Sequence, residues 1–308
     1  GAGPGGAPSG RLQGVEQEGE KTMGKIVIVG SGPAGCSAAL YAARAGQEVV
    51  VISMGMGALS KAELIQNYYG FEKGITGAEL YRQGVAGAKA VGAEFITAEV
   101  VGLDYAATLV VQTTEGDYPA DAVILATGAG RIAPKIAGLA EHEGRGVSYC
   151  ATCDAFFYRG KTTAVLGSGE YALHEVQALL PLAGKVVLCT NGEPLTADFP
   201  EGVEICTEKL AAVEGEEKVS ALRLENGELL PVEGLFVALG VAGSAALARK
   251  LGAPVENGRI VVDERMQTGI PGLYAAGDCT GGLLQVCKAV YEGALAATEA
   301  IKQIRGKK

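Results

Sequence analysis

Two stretches of this chain repeat one pattern, and that pattern leaves few folds open. Residues 26–29 are the apolar run Ile-Val-Ile-Val, followed by Gly30-Ser31-Gly32-Pro33-Ala34-Gly35. A small-residue helical stretch from Cys36 to Ala45 and a second apolar run from Val49 to Ile52 complete the unit. The order recurs later, as Thr163 to Leu166, Gly167-Ser168-Gly169-Glu170-Tyr171-Ala172, a helical stretch to about Leu182, and Val186 to Cys189. Strand, Gly-x-Gly-x-x-Gly or Ala, helix, strand is a βαβ unit. Its glycines permit the turn, admit a pyrophosphate to the backbone, and let the helix lie close to the sheet. The helix N-terminus then faces the phosphate charge. Repeated, the pattern predicts an α/β protein with two Rossmann-like nucleotide-binding domains. Ser53 stands where an acid usually grips the adenosine ribose, so that contact is missing or made by another group.

A length of 308 residues suits two such domains. Residues 1–22 are rich in Gly, Pro and Glu without apolar periodicity and read as a disordered leader or tag, with Met23 as the natural start. Met54 to Gly77 is too long for a mere connector and, with Gln66-Asn67-Tyr68-Tyr69-Gly70, is expected to cover a bound cofactor. A helix at about 77–91 and alternating strands over 94–118 follow, then a buried strand from Asp121 that ends in Ala126-Thr127-Gly128. Glycines around Pro134 and at Gly240 to Ser244 read as linkers. Gly272 to Cys279 reads as a strand running into a Gly277-Asp278 turn, where an acid can accept hydrogen bonds from a polyol. A final helix is expected at about 287–304.

Charge and cysteine usage narrow the partners. A formal net charge of −9 argues against nucleic acid or an anionic membrane surface. No run reaches the apolar length of a spanning helix. Seven scattered cysteines, an odd number, suggest a reducing, cytoplasmic setting with one working pair. That pair is Cys150-Ala151-Thr152-Cys153-Asp154, whose spacing lets one sulfur lower the pKa of the other and lets the two form a disulfide across a tight turn. Asp154 could supply a proton to a departing thiolate. Spacing alone also admits half of a zinc site or two core cysteines. No second Cys-x-x-Cys or His pair completes a zinc set, the only histidines being His142 and His174. The flanking nucleotide loops favour a redox relay.

Taken together, Gly30 to Gly35, Ala126-Thr127-Gly128, Cys150-Ala-Thr-Cys153-Asp154-Ala-Phe156-Phe157-Tyr158 and Ala276-Gly277-Asp278 resemble the low-molecular-weight thioredoxin reductases in order and interval. The resemblance runs from Met23 to the end of the chain. It implies an FAD-binding domain from residues 23–130 and 244–308, with an NAD(P)-type domain, 131–243, inserted and carrying the Cys-x-x-Cys. It also implies a homodimer and a disulfide alternating between flavin and a thioredoxin-like or other disulfide protein; the Gly-rich linkers at Ala129 to Gly138 and Gly240 to Ser244 are expected to permit the rotation between domains that this needs. Gly30, Gly32, Pro33, Ala34 and Gly35 would hold the FAD pyrophosphate, Asp278 beside Gly277 the ribityl chain, and Gln285 and Val286 the ring. Asn67, Thr127 and Gly128 complete the expected cofactor contacts. Cys153 would face the flavin, Cys150 attack the partner, and Asp154 act as general acid. Leu284 stands where the family commonly has Arg.

The inserted segment departs from that family. After the strand at Val186–Cys189 the family carries a His-Arg-Arg block for the 2′-phosphate of NADPH. Here Cys189-Thr190-Asn191-Gly192-Glu193-Pro194 follows, and from Val186 to Glu208 there is no Lys or Arg. A phosphate dianion needs charge-assisted donors, each worth about 1.5–3 kcal/mol. NADPH is therefore not expected, and the chain is similar to relatives that draw electrons from ferredoxin or hold a second flavin. The second nucleotide site (Gly167, Gly169, Ala172) would be empty, or hold NADH or a second FAD. Rival readings are an NADH-dependent disulfide reductase and a flavin-thiol redox sensor.

Overall fold

The computed structural model describes residues 23–129 and 134–306; the expected leader at 1–22 and residues 130–133 of the first linker lie outside the described residues. The first segment contains β1 (Lys25–Val29), α1 (Pro33–Arg44), β2 (Glu48–Ser53), α2 (Gly77–Ala90) and β3 (Glu94–Thr97). It continues with the antiparallel β4 (Val100–Tyr105), β5 (Leu109–Thr113) and β6 (Gly116–Ala120), then β7 (Ala122–Leu125). The middle segment contains β8 (Val147–Ser148), α3 (Ala151–Asp154), β9 (Thr162–Leu166), α4 (Glu170–Leu179), β10 (Lys185–Cys189) and β11 (Glu204–Cys206). The antiparallel β12 (Leu210–Glu214), β13 (Ala221–Leu224) and β14 (Leu229–Pro231) follow, then β15 (Gly234–Val237). The last segment contains α5 (Ser244–Lys250), the hairpin β16 (Val255–Glu256) and β17 (Arg259–Ile260), β18 (Leu273–Ala275) and α6 (Val286–Gly306).

These elements build two five-stranded parallel sheets, as the repeated βαβ pattern requires. One has the order β18-β7-β1-β2-β3, the other β11-β10-β9-β15-β8. In the first, β18 from the last segment pairs with β7 from the first segment, Leu273 beside Val123. The second sheet is formed wholly within the middle segment. β1 shows why the sheet is buried on both sides. Val27 and Val29 enter one apolar cluster while Ile26 and Ile28 enter another, the period-2 alternation of a strand covered on both faces. The second cluster lies between sheet and helices and is built largely of alanine, which lets α1 and α6 approach closely. A methyl at Gly293 of α6 would collide with the Ala34 carbonyl of α1.

In each sheet the strand order reverses beside the strand that precedes a Gly-rich loop. In open α/β sheets ligands bind at that reversal, outside the carboxyl ends of the strands. At the first reversal the loops after β1, β7 and β18 converge. Ala126 N–H bonds to the Val29 carbonyl (2.8 Å) and Ala276 N–H to the Leu125 carbonyl (2.9 Å). Cys150 leaves the carboxyl end of β8, the edge strand of the second sheet. One expectation needs correction: Ser244, read as the end of a linker, is the first residue of helix α5. That helix is seven residues long and its N-cap, Gly243, makes no side-chain hydrogen bond, so it lacks both the length and the capping residue that mark a helix in sequence.

Candidate active site

Gly30, Gly32, Pro33, Ala34 and Gly35 lie where β1 turns into α1. Gly30 has φ +111°, and a methyl on it would collide with the Ala126 carbonyl. A methyl on Gly35 would collide with the Gly30 carbonyl, so this glycine fixes how closely α1 sits on the strand. Gly32 is different: nothing lies within 4 Å of where its methyl would be. Pro33 opens the helix, the N-cap makes no side-chain bond, and no acid stands in the first turn. An open, uncapped helix N-terminus faced by glycine backbone is what a pyrophosphate requires, so these residues fit the FAD implied by the sequence. Ala34 is buried against α6 and Gly277, framing the cradle.

The other expected cofactor contacts come to the same end of the sheet. Gly277 and Asp278 follow β18, and the turn they form is held from α6 by two residues that sequence reasoning missed. Lys288 Nζ donates to the Gly277 carbonyl (2.7 Å) and Thr280 Oγ1 (2.8 Å) and pairs with Glu292 (3.0 Å). Glu292 accepts from the Gly277 N–H and from Thr280, both at 2.8 Å. The signal that would have found them is their i,i+4 spacing at the start of α6. Asn67, from the long loop, donates to Gln285 Oε1 at 2.9 Å, so the loop does reach the start of α6, beside Val286. Thr127 and Gly128 follow β7. Thr127 is engaged with Ser244, its Oγ1 accepting the Ser244 N–H at 2.8 Å. The two chain crossings between the sheets therefore lie side by side.

Cys150 and Cys153 form a disulfide across the single turn of α3, with Cα atoms 5.4 Å apart. Cys150 is buried and its Sγ accepts the Cys153 N–H at 3.2 Å, acting as the helix N-cap; Cys153 is exposed. Asp154 accepts from Ser148 Oγ at 2.6 Å, and Ser148 in turn accepts the Cys150 N–H at 3.1 Å. Ser148 thus ties the acid to the dithiol, a link that no motif announced. Among the described residues no group of three or more His, Cys, Asp or Glu could hold a metal. Of the other cysteines, burial pushes the Cys36 thiol up to about 12 and Cys279 up to about 11, and drives Cys189 upward as well. Thiols held protonated are poor nucleophiles, so these three are set apart from the disulfide pair, while Cys206 is half-buried and Cys287 exposed.

The second Gly-rich loop has the same backbone course but a different setting. Gly167 again requires its missing side chain, since a methyl there would collide with the Ala238 carbonyl, and Ala172 packs beneath it. Over Gly169, however, lies Thr196, whose Oγ1 would stand 3.0 Å from a methyl and whose N–H bonds to the Ser168 carbonyl. Glu170 occupies the first turn of α4. Glu99, which precedes β4, also reaches that helix start: burial chiefly, and then the Glu170 charge, raise its carboxyl, against an opposing hydrogen bond from the Tyr171 N–H. Past β10 a cation does fold in. Lys209 packs its side-chain carbons on Gly192, while Arg223 is paired with Glu214 at 2.5 Å. A cation count ending at Glu208 stops one residue short of it.

Comparison with known proteins agrees with this geometry. Residues 24–293 match the pyridine nucleotide-disulphide oxidoreductase family. The chain is 36% identical to the thioredoxin reductase of Aquifex aeolicus over 307 residues, 92% of this chain and 94% of that protein. Among solved structures, it superposes on the atypical thioredoxin reductase TRi of Desulfovibrio vulgaris Hildenborough with a TM-score of 0.87 at 40% identity, covering 92% of this chain and 98% of that one. A ferredoxin-flavin thioredoxin reductase of Clostridium acetobutylicum gives 0.70 at 36% identity, covering 92% and 99%. The chain belongs to the pyridine nucleotide-disulphide oxidoreductase family and, within it, is a thioredoxin reductase-like flavin disulfide oxidoreductase.

Proposed function

We propose that this enzyme passes electrons from FAD through Cys150–Cys153 to a thioredoxin-like protein and takes them from a ferredoxin-like one-electron carrier rather than from NADPH. The observation that carries the choice of donor is the N-terminus of α4. Where a dinucleotide would place its pyrophosphate, two carboxyls, Glu170 and Glu99, face the helix start, and Thr196 lies over Gly169. The two carboxyls oppose a negatively charged ligand there, and Lys209 offers a single point charge in place of an Arg fork. The names of two similar structures, one an atypical and one a ferredoxin-flavin thioredoxin reductase, support the same reading.

FAD, when bound, supplies a centre that can accept single electrons and deliver a pair to a disulfide. The chain's own residues do the rest. Exposed Cys153 is the sulfur available to the cofactor side, and hidden Cys150 is held for the partner. Asp154, positioned by Ser148, holds the proton that a departing thiolate requires. Phe156 and Phe157, 67% and 68% exposed just after the dithiol, offer an apolar surface suited to a protein partner. The pairing of β18 with β7 supports a discontinuous FAD domain formed by residues 23–130 and 244–308, with 131–243 inserted and able to rotate.

An anaerobic titration of flavin absorbance tests the proposal. Reduced ferredoxin should bleach the flavin within seconds, while NADPH and NADH leave it oxidised. Bleaching by NADH alone would favour the NADH-dependent reading, and rapid bleaching by NADPH would overturn the argument from the second loop. Two flavins per chain would assign that loop to a second FAD.

A further inference from the structure

Cys189 and Cys206 are the last residues of two neighbouring strands, β10 and β11. In the parallel register of these strands each is the other's Cα partner, so the two side chains leave the same face of the sheet. Both enter one apolar cluster, together with Val187, Leu210 and Leu222. Adjacent strands lie about 4.8 Å apart, inside the about 4.4–6.8 Å that separates the Cα atoms of a disulfide. Both cysteines are free thiols here.

The two thiols differ in what can reach them. Cys189 is fully buried, and burial chiefly, then the Cys206 thiol beside it and the Glu204 charge, push its thiol up. Cys206 is half-buried and opens on a groove of about 570 Å³ that Glu204, Glu208 and Glu228 also line. Three carboxylates oppose an anionic oxidant such as glutathione disulfide, whereas a neutral peroxide meets no such opposition. The segment that joins the two cysteines carries Thr196, whose N–H bonds to the Ser168 carbonyl at 2.9 Å beside Gly169.

We propose that Cys189 and Cys206 are a second oxidisable dithiol, which a small neutral peroxide converts to a disulfide joining β10 to β11. Cys206, having lost its proton, attacks one peroxide oxygen; the O–O bond breaks, and the departing hydroxide takes up that proton as water. Cys206 is then a sulfenic acid. The Cys189 sulfur attacks the Cys206 sulfur, the S–O bond breaks, and the departing hydroxide takes the Cys189 proton as a second water. The two sulfurs have together given two electrons to the peroxide. The bond closes residues 189–206, Thr196 among them, into one covalent ring beside the second Gly-rich loop. This goes beyond the proposed function and needs neither its donor nor its roles for Cys150 and Cys153.

The test treats the FAD-loaded protein, with its flavin oxidised and Cys150–Cys153 joined, with a modest molar excess of hydrogen peroxide at about pH 8, where thiolate is plentiful. Iodoacetamide in denaturant then marks the surviving thiols. No Lys or Arg lies from Val186 to Glu208, so trypsin releases both cysteines, and no others, on the peptide 186–209. That peptide should pass from doubly alkylated to unalkylated and two hydrogens lighter, and dithiothreitol should restore it. In C189S, Cys206 should be trapped by dimedone as a sulfenic acid; in C206S, Cys189 should survive as a thiol. A wild-type peptide still doubly alkylated at a peroxide concentration that oxidises exposed Cys287 would overturn the proposal. So would Cys206 carried to sulfinic acid without the disulfide, or Cys189 oxidised as fast in C206S as in wild type.

Discussion

The first Gly-rich loop offers a test in which neighbouring glycines should fail for different reasons. Gly35→Ala drives a methyl into the Gly30 carbonyl, a backbone atom that a rotamer change cannot move aside. Either α1 or the loop has to shift, and overpacking of this kind costs about 3 kcal/mol, at the upper end of the usual range. For a domain of this size that lowers the melting temperature of the flavin-free protein by roughly 6–12 °C. Gly32→Ala meets nothing within 4 Å, and its backbone, φ −72° and ψ −169°, is ordinary extended geometry open to alanine. The flavin-free protein should melt within about 2 °C of wild type, as a change of no more than about 0.5 kcal/mol implies. Flavin binding should respond in the opposite way. A methyl at Gly32 stands in the space through which the pyrophosphate approaches the start of α1. Losing one or two charge-assisted bonds there, about 3 kcal/mol, weakens FAD binding on the order of 100-fold. The assay pairs calorimetry of the flavin-free protein with reconstitution by titration of FAD fluorescence. Gly169→Ala in the second loop is the control, because Thr196 already covers it and flavin binding should not change. A Gly32→Ala protein that binds FAD with wild-type affinity, or that melts as low as Gly35→Ala, would remove the pyrophosphate from this helix.

Three further outcomes follow from the site. In the holoprotein with its flavin oxidised, C150S should leave a Cys153 thiolate beside the flavin, seen as a long-wavelength charge-transfer band that C153S lacks; the reverse result would exchange the two roles. E99Q should melt higher than wild type at about pH 8 and converge with it near the ordinary carboxylate range, at about pH 4. The sign follows because burial beside Glu170 raises the Glu99 carboxyl, and a group so raised favours the fold only while protonated, losing that contribution as pH climbs; a constant offset at every pH would remove Glu99 from the account. Under native conditions at about pH 8, Cys287 should alkylate quickly and Cys36, Cys189 and Cys279 slowly, since these three are buried and held protonated; fast labelling of Cys279 would contradict its placement.

Much of this molecule was legible from spacing. The strand and helix of each βαβ unit were visible because apolar runs and Gly-rich turns alternate at fixed intervals, and the structure places them within a few residues of expectation. The dithiol was legible because Cys-x-x-Cys is local chemistry, complete within four residues. Ser148, Lys288 and Glu292 were not, since each acts through a partner fixed only by the folded chain. Ser148 reaches Asp154 because β8 ends where it does, and Glu292 reaches the Gly277 N–H because α6 packs under that turn. Lys250 is the clearest case. A lysine near a helix C-terminus reads as a solvated charge, and only the fold, which brings it to Glu175 of α4, turns it into a buried one.

The second Gly-rich loop shows how packing alone can require a motif's residues. Gly167 and Ala172 are demanded by packing alone, because a larger residue at Gly167 would strike the Ala238 carbonyl and Ala172 sits against it in the core. The βαβ unit therefore preserves its glycine signature whether or not a dinucleotide ever binds. Gly32 and Gly169 are the positions free of that demand, and they are where the two loops differ. Beside Gly32 the space is open; beside Gly169 it is covered by Thr196, and carboxyls gather at the helix start that follows. On the proposed function the fold reuses one unit for two purposes, with the first loop shaped around a ligand and the second around its own chain. Evidence for binding lies in the residues that the unit does not need for its own packing, and in this chain those residues favour a single nucleotide site.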